Sequence, residues 1–572
     1  MRFEILERDG LARNGTLEID GVRHATPAMA HIAREGQAHT TTGLRLSPRD
    51  AAGKGDLKIV PSGFAPDADK TGPDGALDPW YRGSPFAGAR PEGGFAVLDG
   101  VAKLLLDSPR FVEAIKRVKS GPDLLKPLYC SLAGMPHRLA LLAYCGVDVF
   151  DSLPLIMASE TGRYLTPTGP LQYSALKDLP CACEACRSGT RGKESLLRHN
   201  IAVAEAELRL VSHKIAGGSL RELVETRVRA DPWLVQDLRL MDVNARELQE
   251  MHSPVKGTAF HAGSKESLLR PEIVRWQARL TDRYRRPEGA SVLLLIPCSA
   301  RKPYSLSQSH MRFRDAVFSS GRAQLVHEVI VTSPLGLVPR ELEMFYPAKD
   351  YDIPVTGHWD RDEQKLVQEM VAWLVETQRY DLVISHLGDE REAVSGVLGD
   401  HVDTSGGEPG SRASLDRLEL TLREMAPEPR EHGRAGRVFQ DLRSVCRFQF
   451  GAPGDDLCEG AQAFGRWPFV KVAKGGSQLG MLTADRGMVS LTLDGARTLA
   501  RTGAYCVEIE DFRPKGNLFA VGVEGASPEV RIGDDVAVVH KGDVRAVGVA
   551  RMCAEELRLA ERGEAVHVRH AA

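Results

Sequence analysis

The sequence predicts an α/β multidomain protein. Its 572 residues exceed the roughly 250–300 residues at which a single hydrophobic core stops growing, so we expect about three or four domains. Strand-like and helical segments alternate over residues 101–232 and again over 292–425, as in βα units. From about residue 438 the pattern is mostly β-like. These observations favour two α/β regions followed by a β-rich end.

Composition narrows the class of protein. The net charge is −3, so the electrostatic field of the whole protein does not attract phosphate groups. A nucleic acid would therefore have to bind at local basic patches. No run of 18 apolar residues exists and the start of the chain lacks the apolar core of a signal peptide, which predicts a cytoplasmic protein with no membrane partner. The ten cysteines do not indicate a disulfide framework in so long a chain. Three of them lie close together in the sequence, which indicates a metal-binding site.

The front of the chain offers one clear element. The first 100 residues are rich in glycine and proline, as in Lys70–Gly75, and predict few regular elements. Glu194–Ala216 predicts a long helix, because apolar residues recur at spacings of three and four. Gly217-Gly218 ends it, and Ser219 with Glu222 is typical of a capping box that begins the next helix. The apolar face of the long helix comprises Leu197, Ile201, Ala204, Leu208, Val211 and Ile215.

A second α/β block lies in the middle of the chain. Val292–Ile296, Glu328–Thr332 and Asp381–Ser385 are short apolar runs suited to buried parallel strands. Glu363–Glu376 predicts a helix between the last two, which gives a βαβ-like core. Residues 404–411 and 426–429 are typical of a flexible excursion and a linker.

The loop after the first of these strands carries the candidate active site. Loops at the carboxyl ends of strands are where open α/β sheets bind ligands. Cys298 near Lys302, with a helix start close behind, has surroundings that depress the pKa of a thiol. A buried structural cysteine in a turn is the alternative, and the density of polar residues favours a site. The candidates in this loop are Cys298, Ser299, Lys302, Tyr304, Ser307, Ser309 and His310.

A metal site is predicted in the front region. Cys181, Cys183 and Cys186 offer three thiolates in one loop, and tetrahedral zinc needs a fourth ligand. His199 and His213 are both candidates. His199 lies about 200° around the predicted helix from the apolar face, so we expect it to face away from that core. A closed four-ligand site is structural, because it leaves no open position for catalysis.

Four motifs in the front region resemble tRNA-guanine transglycosylases. Cys145–Ser152, Arg163–Gly169, the cysteine motif and Arg198–Asn200 follow the order of that family. The resemblance implies a zinc site completed by His199 and aligns Asp151 with the family's nucleophile. The family's D-S-G-G-F segment has no counterpart, the nearest text being Pro91–Phe95. We therefore expect a degenerate barrel kept for scaffolding or RNA binding, in which Asp151 binds substrate.

The whole chain resembles a narrower family, the archaeosine synthases. The motif from Pro297 to His310 matches at every position of P-C-S-x-x-K-P-Y-x-x-S-x-S-H, and the chain from Gly487 resembles a PUA domain. The resemblance implies addition of an amine to the nitrile of 7-cyano-7-deazaguanine (preQ0) at position 15, in the D-loop of tRNA. It also implies lysine as donor, or glutamine-derived nitrogen in an older description, and a radical S-adenosylmethionine (SAM) partner enzyme. Predicted RNA-binding residues of the PUA domain are Lys515, Gly516, Lys541 and Arg545.

These resemblances refine the predicted architecture. We expect a degenerate TIM-barrel-like transglycosylase domain, a Rossmann-like α/β middle domain, a small α+β module and a C-terminal PUA β-barrel. The corresponding ranges are 1–235 for the zinc-binding domain, 236–290 for a helical connector, 291–435 for the catalytic core, 436–486 for the small module and 487–572 for the PUA domain. A homodimer is compatible with the sequence.

Two chemical routes and three functions stay open. In one route, Cys298 adds to the nitrile and an amine then displaces the cysteine sulfur from the resulting thioimidate. In the other route, the amine adds directly to the nitrile while Lys302, Tyr304 or His310 donates a proton. Ser307 and Ser309 either contact substrate or cap the next helix. His386, after the third strand, belongs to the site or is structural. The competing functions are base exchange by the front domain and a non-catalytic tRNA-binding scaffold.

Overall fold

The structure is a computed structural model that describes residues 1–32, 44–48, 53–61, 89–91, 94–98, 104, 106–354, 359–428 and 434–572. The glycine-rich segment Lys70–Gly75 and part of Pro91–Phe95 lie outside these residues. The chain forms two compact units, Met1–Ser253 with Leu559–Gly563, and Pro254–Arg558 with Glu564–Ala572. The finer division into five domains stays a prediction.

The first unit is built on a mostly parallel sheet. Seven strands follow the order β7-β6-β5-β4-β10-β9-β8, and every neighbouring pair is parallel except β6 with β7. An open, barrel-like sheet of this kind agrees with the predicted degenerate barrel. The expectation of few elements in the first 100 residues was wrong, because eight strands lie there. The strands are β1 (Arg2–Asp9), β2 (Ala12–Ile19), β3 (Val22–Thr26), β4 (Ala28–Ile32), β5 (Arg45–Pro48), β6 (Leu57–Pro61), β7 (Ala89–Pro91), β8 (Ala96–Leu98), β9 (Leu128–Cys130), β10 (Val149–Asp151), β11 (Arg163–Thr166) and β12 (Gly169–Gln172).

The long helix predicted in this unit is confirmed as α5 (Lys193–Ala216), and its apolar face is buried except for the half-buried Ile201. The predicted capping box is wrong, since Ser219 makes no capping hydrogen bond. Instead, the amide of Leu220 donates to the Asp9 carboxylate at 2.7 Å, so a residue of β1 satisfies the first amide of the next helix. The helices are α1 (Ser108–Lys119), α2 (Pro136–Tyr144), α3 (Leu153–Glu160), α4 (Glu184–Arg187), α5 (Lys193–Ala216), α6 (Leu220–Arg227), α7 (Pro232–Asn244) and α8 (Arg246–His252).

The second unit contains three larger sheets. Its strands are β13 (Phe260–His261), β14 (Val292–Pro297), β15 (Val326–Thr332), β16 (Gly336–Pro339), β17 (Tyr351–Asp352), β18 (Leu382–Ser385), β19 (Val402–Asp403), β20 (Gln462–Arg466), β21 (Phe469–Lys474), β22 (Ser477–Leu482), β23 (Val489–Leu491), β24 (Cys506–Ile509), β25 (Leu518–Phe519), β26 (Val523–Ala526), β27 (Asp535–His540), β28 (Asp543–Ala550) and β29 (Glu564–Ala571). The helices from residue 254 onward are α9 (Pro271–Asp282), α10 (Gln308–Ser319), α11 (Arg361–Gln378), α12 (Arg391–Val394), α13 (Arg412–Met425), α14 (Arg434–Phe450), α15 (Pro453–Cys458), α16 (Leu493–Ala500) and α17 (Ala554–Leu559).

The middle sheet confirms the three predicted strands and the helix between the last two. Its order is β16-β15-β14-β18-β19, and β14 lies parallel to both β15 and β18. All five residues of Val292–Ile296 are fully buried, as expected for a central strand covered on both faces. Residues 404–411 are not a flexible excursion. Thr404 and Ser405 are fully buried, because β19 extends the sheet beside β18 and the Thr404 amide donates to the Ser385 carbonyl at 3.0 Å.

The C-terminal part contains two sheets. A four-stranded antiparallel sheet has the order β20-β21-β22-β23, and a six-stranded sheet has the order β25-β29-β28-β27-β24-β26. The second sheet fits the predicted PUA barrel. Within the residues that the structure describes, none of the helices is long and apolar enough to cross a membrane.

Candidate functional site

Three strand ends meet at one edge of the middle sheet. Because β14 is parallel to β15 and β18, their carboxyl ends point the same way. Cys298 follows β14 directly, Thr332 is the last residue of β15, and Ser385 is the last residue of β18. The predicted site loop therefore opens where an α/β sheet binds its ligands.

The Cys298 thiol lies in a partly closed environment. Burial raises the pKa of Cys298, and the charge of Glu390 raises it further. A hydrogen bond with the Thr332 side chain and the charge of Lys302 oppose the rise in pKa. The expected depression of the thiol pKa is therefore wrong, because loss of solvation outweighs the nearby cation. A base that removes the thiol proton during attack fits this site better than a preformed thiolate.

Lys302 lies beside two tyrosines. Its Nζ is 4.2 Å from the ring centroid of Tyr351 and 5.8 Å from that of Tyr304. Burial lowers the pKa of Lys302, while Cys298 and Asp352 oppose that shift. A lysine with a lowered pKa gives up its proton more readily than an exposed one, as a general acid requires.

Hydroxyl groups connect this pair of tyrosines to Thr332. The Tyr304 and Tyr351 hydroxyl oxygens are 2.5 Å apart, and the Tyr351 hydroxyl is 2.7 Å from Oγ1 of Thr332. These three side chains form one chain of hydrogen bonds, and Thr332, at its end, lowers the pKa of Cys298. Burial raises the pKa of Tyr304 well above its usual value, so its phenol stays protonated.

His310 is held as a neutral ring. A guanidinium nitrogen of Arg340 lies 2.8 Å from Nδ1 of His310, and a guanidinium only donates, so Nδ1 accepts and the ring proton is on Nε2. Burial and the Arg340 charge lower the pKa of His310 to about 2. Arg340 itself is paired with Glu328 and Glu343. The ring is therefore oriented and uncharged at neutral pH.

The three candidate serines of the loop form local hydrogen bonds. Ser307 is the N-cap of α10, where its hydroxyl accepts the His310 amide at 3.2 Å. The Ser309 hydroxyl lies 3.2 Å from that of Ser307. Ser299 donates to the Arg301 carbonyl at 3.1 Å. Each serine shapes the backbone that carries Cys298 and Lys302, and their roles in binding or catalysis stay predictions.

Glu390 is a member of this site that sequence reasoning missed. It follows β18 in a short 3-10 turn, Gly388–Glu390, on the edge shared with Cys298. Its Oε2 atom is buried and has no hydrogen-bond partner among the described residues. Burial, with the charge of Asp389, raises the pKa of Glu390 to about 7. The available signal was its position just after a buried strand.

His386, which directly follows β18, is structural in its contacts. Its Nδ1 lies 2.9 Å from the Thr404 hydroxyl, and its Nε2 lies 2.8 Å from the Pro409 carbonyl. Both ring nitrogens are therefore used to hold the segment after β19.

The first unit brings together the predicted metal ligands. The Sγ atoms of Cys183 and Cys186 lie 3.5 and 3.4 Å from Nδ1 of His199, and the ligand atoms of these residues and Cys181 all lie within 4.8 Å of one another. Zinc bonds of about 2.3 Å to sulfur and 2.0 Å to nitrogen place such atoms roughly 3.5 Å apart at a tetrahedral angle. We therefore propose that these four residues hold a structural zinc.

The surroundings of His199 orient it for that role. Its Nε2 lies 2.9 Å from the Leu165 carbonyl, so Nε2 carries the proton and Nδ1 is left to bind metal. The Tyr164 ring stacks on it at 3.7 Å between centroids, and the Tyr164 hydroxyl lies 3.3 Å from Sγ of Cys186. His199 does leave the main apolar face of α5, but it is buried rather than exposed because the β11–β12 hairpin covers it. His213 is exposed and outside the cluster.

Asp151 is fully engaged in the fold of the first unit. One carboxylate oxygen accepts the Tyr129 hydroxyl at 3.0 Å and the Leu132 amide at 2.9 Å, and the other accepts the Leu153 amide at 3.0 Å. Only 2% of the residue is exposed. Burial raises the pKa of Asp151, and the three hydrogen bonds oppose the rise. These contacts are those of a residue that positions strand ends.

The predicted RNA-binding residues of the PUA sheet differ in their contacts. Lys515 and Gly516 are exposed, and nothing lies within 4 Å of where a Cβ of Gly516 would be. Lys541 is exposed in the turn between β27 and β28. Arg545 is half-buried and paired with Asp511 and Asp543 at 3.1 and 3.4 Å.

Comparison with known proteins covers nearly the whole chain. Protein-family models match it as Queuine tRNA-ribosyltransferase over residues 89–232, a domain of unknown function (DUF5591) over 273–422, and a PUA domain over 509–572. Archaeosine synthase subunit alpha of Methanosarcina acetivorans is 34% identical, with 99% of each chain covered. Archaeosine synthase of Haloferax volcanii is 35% identical over 77% of this chain and 76% of that protein. The tRNA-guanine(15) transglycosylase of Methanobrevibacter smithii is 27% identical over 82% of this chain and 71% of that protein.

Substitution of His199 tests the metal site. We expect His199→Ala and Cys183→Ser to lower zinc content from near one per chain to near zero, and to lower the midpoint of thermal unfolding. His213→Ala, an exposed histidine on the same helix, should keep its zinc. Elemental analysis of the purified proteins measures this. Absence of zinc from the wild-type protein purified without chelator would contradict the proposal.

Proposed function

This chain belongs to the archaeosine synthase family, and we propose that it adds an amine to the nitrile of 7-cyano-7-deazaguanine at position 15 of tRNA. Its relationship to named archaeosine synthases makes it a tRNA-modifying transferase of archaeosine biosynthesis. The observation that carries the finer proposal is the position of Cys298 at the sheet edge, with Lys302 and Glu390 acting on it electrostatically.

The proposed first step is addition of Cys298 to the nitrile carbon. As the C–S bond forms, the thiol proton passes to the Glu390 carboxylate and the nitrile nitrogen takes a proton from the Lys302 ammonium. The product is a thioimidate. The pKa of Glu390, raised to about 7, suits a group that accepts and returns a proton near neutral pH.

The proposed second step is displacement by the donor amine. The amine nitrogen attacks the thioimidate carbon, its surplus proton passes to the Lys302 amine left neutral by the first step, and the C–S bond breaks. The sulfur leaves as a thiol after taking a proton from Glu390. The sum is addition of one N–H across the nitrile, so neither an oxidant nor a reductant is required.

Direct addition of the amine is the alternative route. It needs a proton donor but no thiol, and Lys302 and the Tyr304 hydroxyl are the available donors. His310 suits this role poorly, because its pKa of about 2 leaves the ring neutral and its only ring proton lies on the nitrogen away from Arg340.

The donor and partner enzyme come from the family resemblance. We propose lysine as the amine donor, with glutamine-derived nitrogen as the alternative, and a radical SAM enzyme that later cleaves the lysine adduct. The proposed RNA contacts include the exposed Lys515, Gly516 and Lys541 of the PUA domain.

Base exchange by the first unit is the second candidate function. The match to Queuine tRNA-ribosyltransferase over residues 89–232 favours it. Against it stands Asp151, whose two carboxylate oxygens already accept three hydrogen bonds from the fold. To act as the nucleophile, Asp151 would have to break all three hydrogen bonds.

We expect Cys298→Ala to abolish the lysine adduct while tRNA binding persists, because affinity comes from phosphate contacts spread over the protein. Mass spectrometry of tRNA carrying the cyano base, after incubation with protein and lysine, measures the adduct. Cys506→Ala, a half-buried cysteine in the C-terminal sheet, is the matched control. Substantial adduct with the Cys298 variant would favour direct addition. Exchange of labelled free base without an adduct would favour transglycosylation.

The pH dependence tests Glu390. A carboxylate that accepts a proton is active above its pKa, so activity should rise as pH increases through about 7. Glu390→Gln should lower kcat by about 100-fold and remove the part of this rise that belongs to the carboxyl group. Asp389→Asn, which removes the exposed neighbouring charge that raises the pKa of Glu390, should keep kcat and move the rise in activity to lower pH. An unchanged profile in the Glu390 variant would rule out its role as the base.

Asp151→Asn should retain most lysine-addition activity, because the proposed chemistry leaves the glycosidic bond intact. The asparagine side chain replaces one accepting oxygen with an NH2 group that faces a donor already in place. We therefore expect the free energy of unfolding to fall by about 1–3 kcal/mol. Thermal unfolding and the same mass-spectrometric assay measure the two effects. If the variant folds and binds tRNA but forms no adduct, the first unit carries the chemistry.

A further inference from the structure

The hairpin of β20 and β21 exposes aromatic and basic side chains on one face. Phe464 is 53% exposed and Phe469 is 54% exposed, although phenylalanine is usually buried. Arg466 and Lys471 are exposed beside them. We call this surface, formed by Phe464, Arg466, Phe469 and Lys471, the hairpin face.

Strand register explains why these residues share a face. Phe464 pairs with Lys471 and Arg466 pairs with Phe469 across the antiparallel strands. The alternate residues, Val470 and Val472, are fully buried in the core. Since side chains alternate across a strand, the hairpin has one face packed in the protein and the other directed to solvent.

A glycine keeps the two strands close at the tip of the hairpin. Gly465 has φ +119°, and a Cβ there would lie 2.3 Å from the backbone oxygen of Phe469. A side chain at 465 would therefore push β20 away from β21. Phe464 and Phe469 are diagonal neighbours across the pair, about 7 Å apart at their backbones.

The charge on this face is positive and uncompensated. Neither Arg466 nor Lys471 forms an ion pair with any residue that the structure describes. The protein as a whole carries a net charge of −3, so these cations form a local exception. Lysine is depleted in protein–protein interfaces, whereas cations beside exposed aromatic rings are typical of surfaces that bind single-stranded nucleic acid.

We propose that the hairpin face binds an unpaired segment of the substrate RNA, with the two phenyl rings stacking on bases and the two cations meeting phosphates. Stacking is independent of sequence, because every base has a π-face. This inference rests on the proposed function, in which tRNA is the substrate. It adds a contact outside the PUA match at 509–572 and outside the Cys298 loop.

Binding of unmodified tRNA to the full-length protein tests the inference. We expect Phe464→Ala and Phe469→Ala each to weaken binding about tenfold, as loss of one stacked base would. Phe464→Tyr should restore affinity to within about twofold, since the ring is kept. Lys471→Gln should reduce the steepness of log K against log salt concentration by about the amount that one phosphate contact contributes. Phe318→Ala is the matched control, since Phe318 is 52% exposed on α10.

The outcomes separate this inference from the proposed function. If wild-type protein binds tRNA and the double alanine variant binds it equally well at the same salt concentration, the hairpin face is not an RNA contact. If the wild-type protein forms no adduct, the proposed chemistry falls, while tRNA binding still decides the inference. Both phenylalanines are exposed, so the midpoint of thermal unfolding of the variants should match that of the wild type. If the double alanine variant does not fold, the double variant Phe464→Ser with Phe469→Ser is measured in its place.

Discussion

The parallel pairing of β14 with β15 and β18 is the constraint on which the candidate site depends. It fixes three chain segments, distant in sequence, so that Cys298, Thr332 and the turn bearing Glu390 leave the sheet at one edge. The pairing is maintained by burial of the central strand on both faces, which leaves its backbone no partners except its neighbours. A change that shifted the register by one residue would turn the apolar side chains of β14 to the opposite face and separate Cys298 from Thr332.

Burial at this edge acts on all three ionisable groups in one direction, toward the uncharged form. It raises the pKa of Cys298 and of Glu390 and lowers that of Lys302. A carboxyl group and an ammonium group whose pKa values move toward each other exchange a proton at lower cost than the same groups in water. The apolar surroundings therefore do more than exclude water, since they bring the acid and the base of the site toward a common pH range.

Local pattern sufficed for the middle sheet, the long helix and the metal ligands. Runs such as Val292–Ile296 are apolar because both faces are covered, and the three cysteines have the close spacing that the proposed zinc would require, so both leave a trace in sequence. Glu390 leaves no such trace, since its role depends on a strand pairing that joins residues 90 positions apart. The neutral state of His310 depends on Arg340, 30 positions away, and the cap on Leu220 depends on Asp9, 211 positions away. The raised pKa of Cys298 reflects burial, which a motif does not record.

The contacts of α5 with the β11–β12 hairpin have a consequence beyond metal binding. The Asn200 side chain accepts a hydrogen bond from the Leu165 amide at 3.0 Å and donates one to the Arg163 carbonyl at 3.1 Å. Nε2 of the neighbouring His199 donates to the Leu165 carbonyl at 2.9 Å. These are the polar backbone groups that an edge strand would otherwise offer to a strand of another molecule. One turn of helix thereby closes this edge of the hairpin against intermolecular β-pairing, and so guards a two-stranded sheet against aggregation.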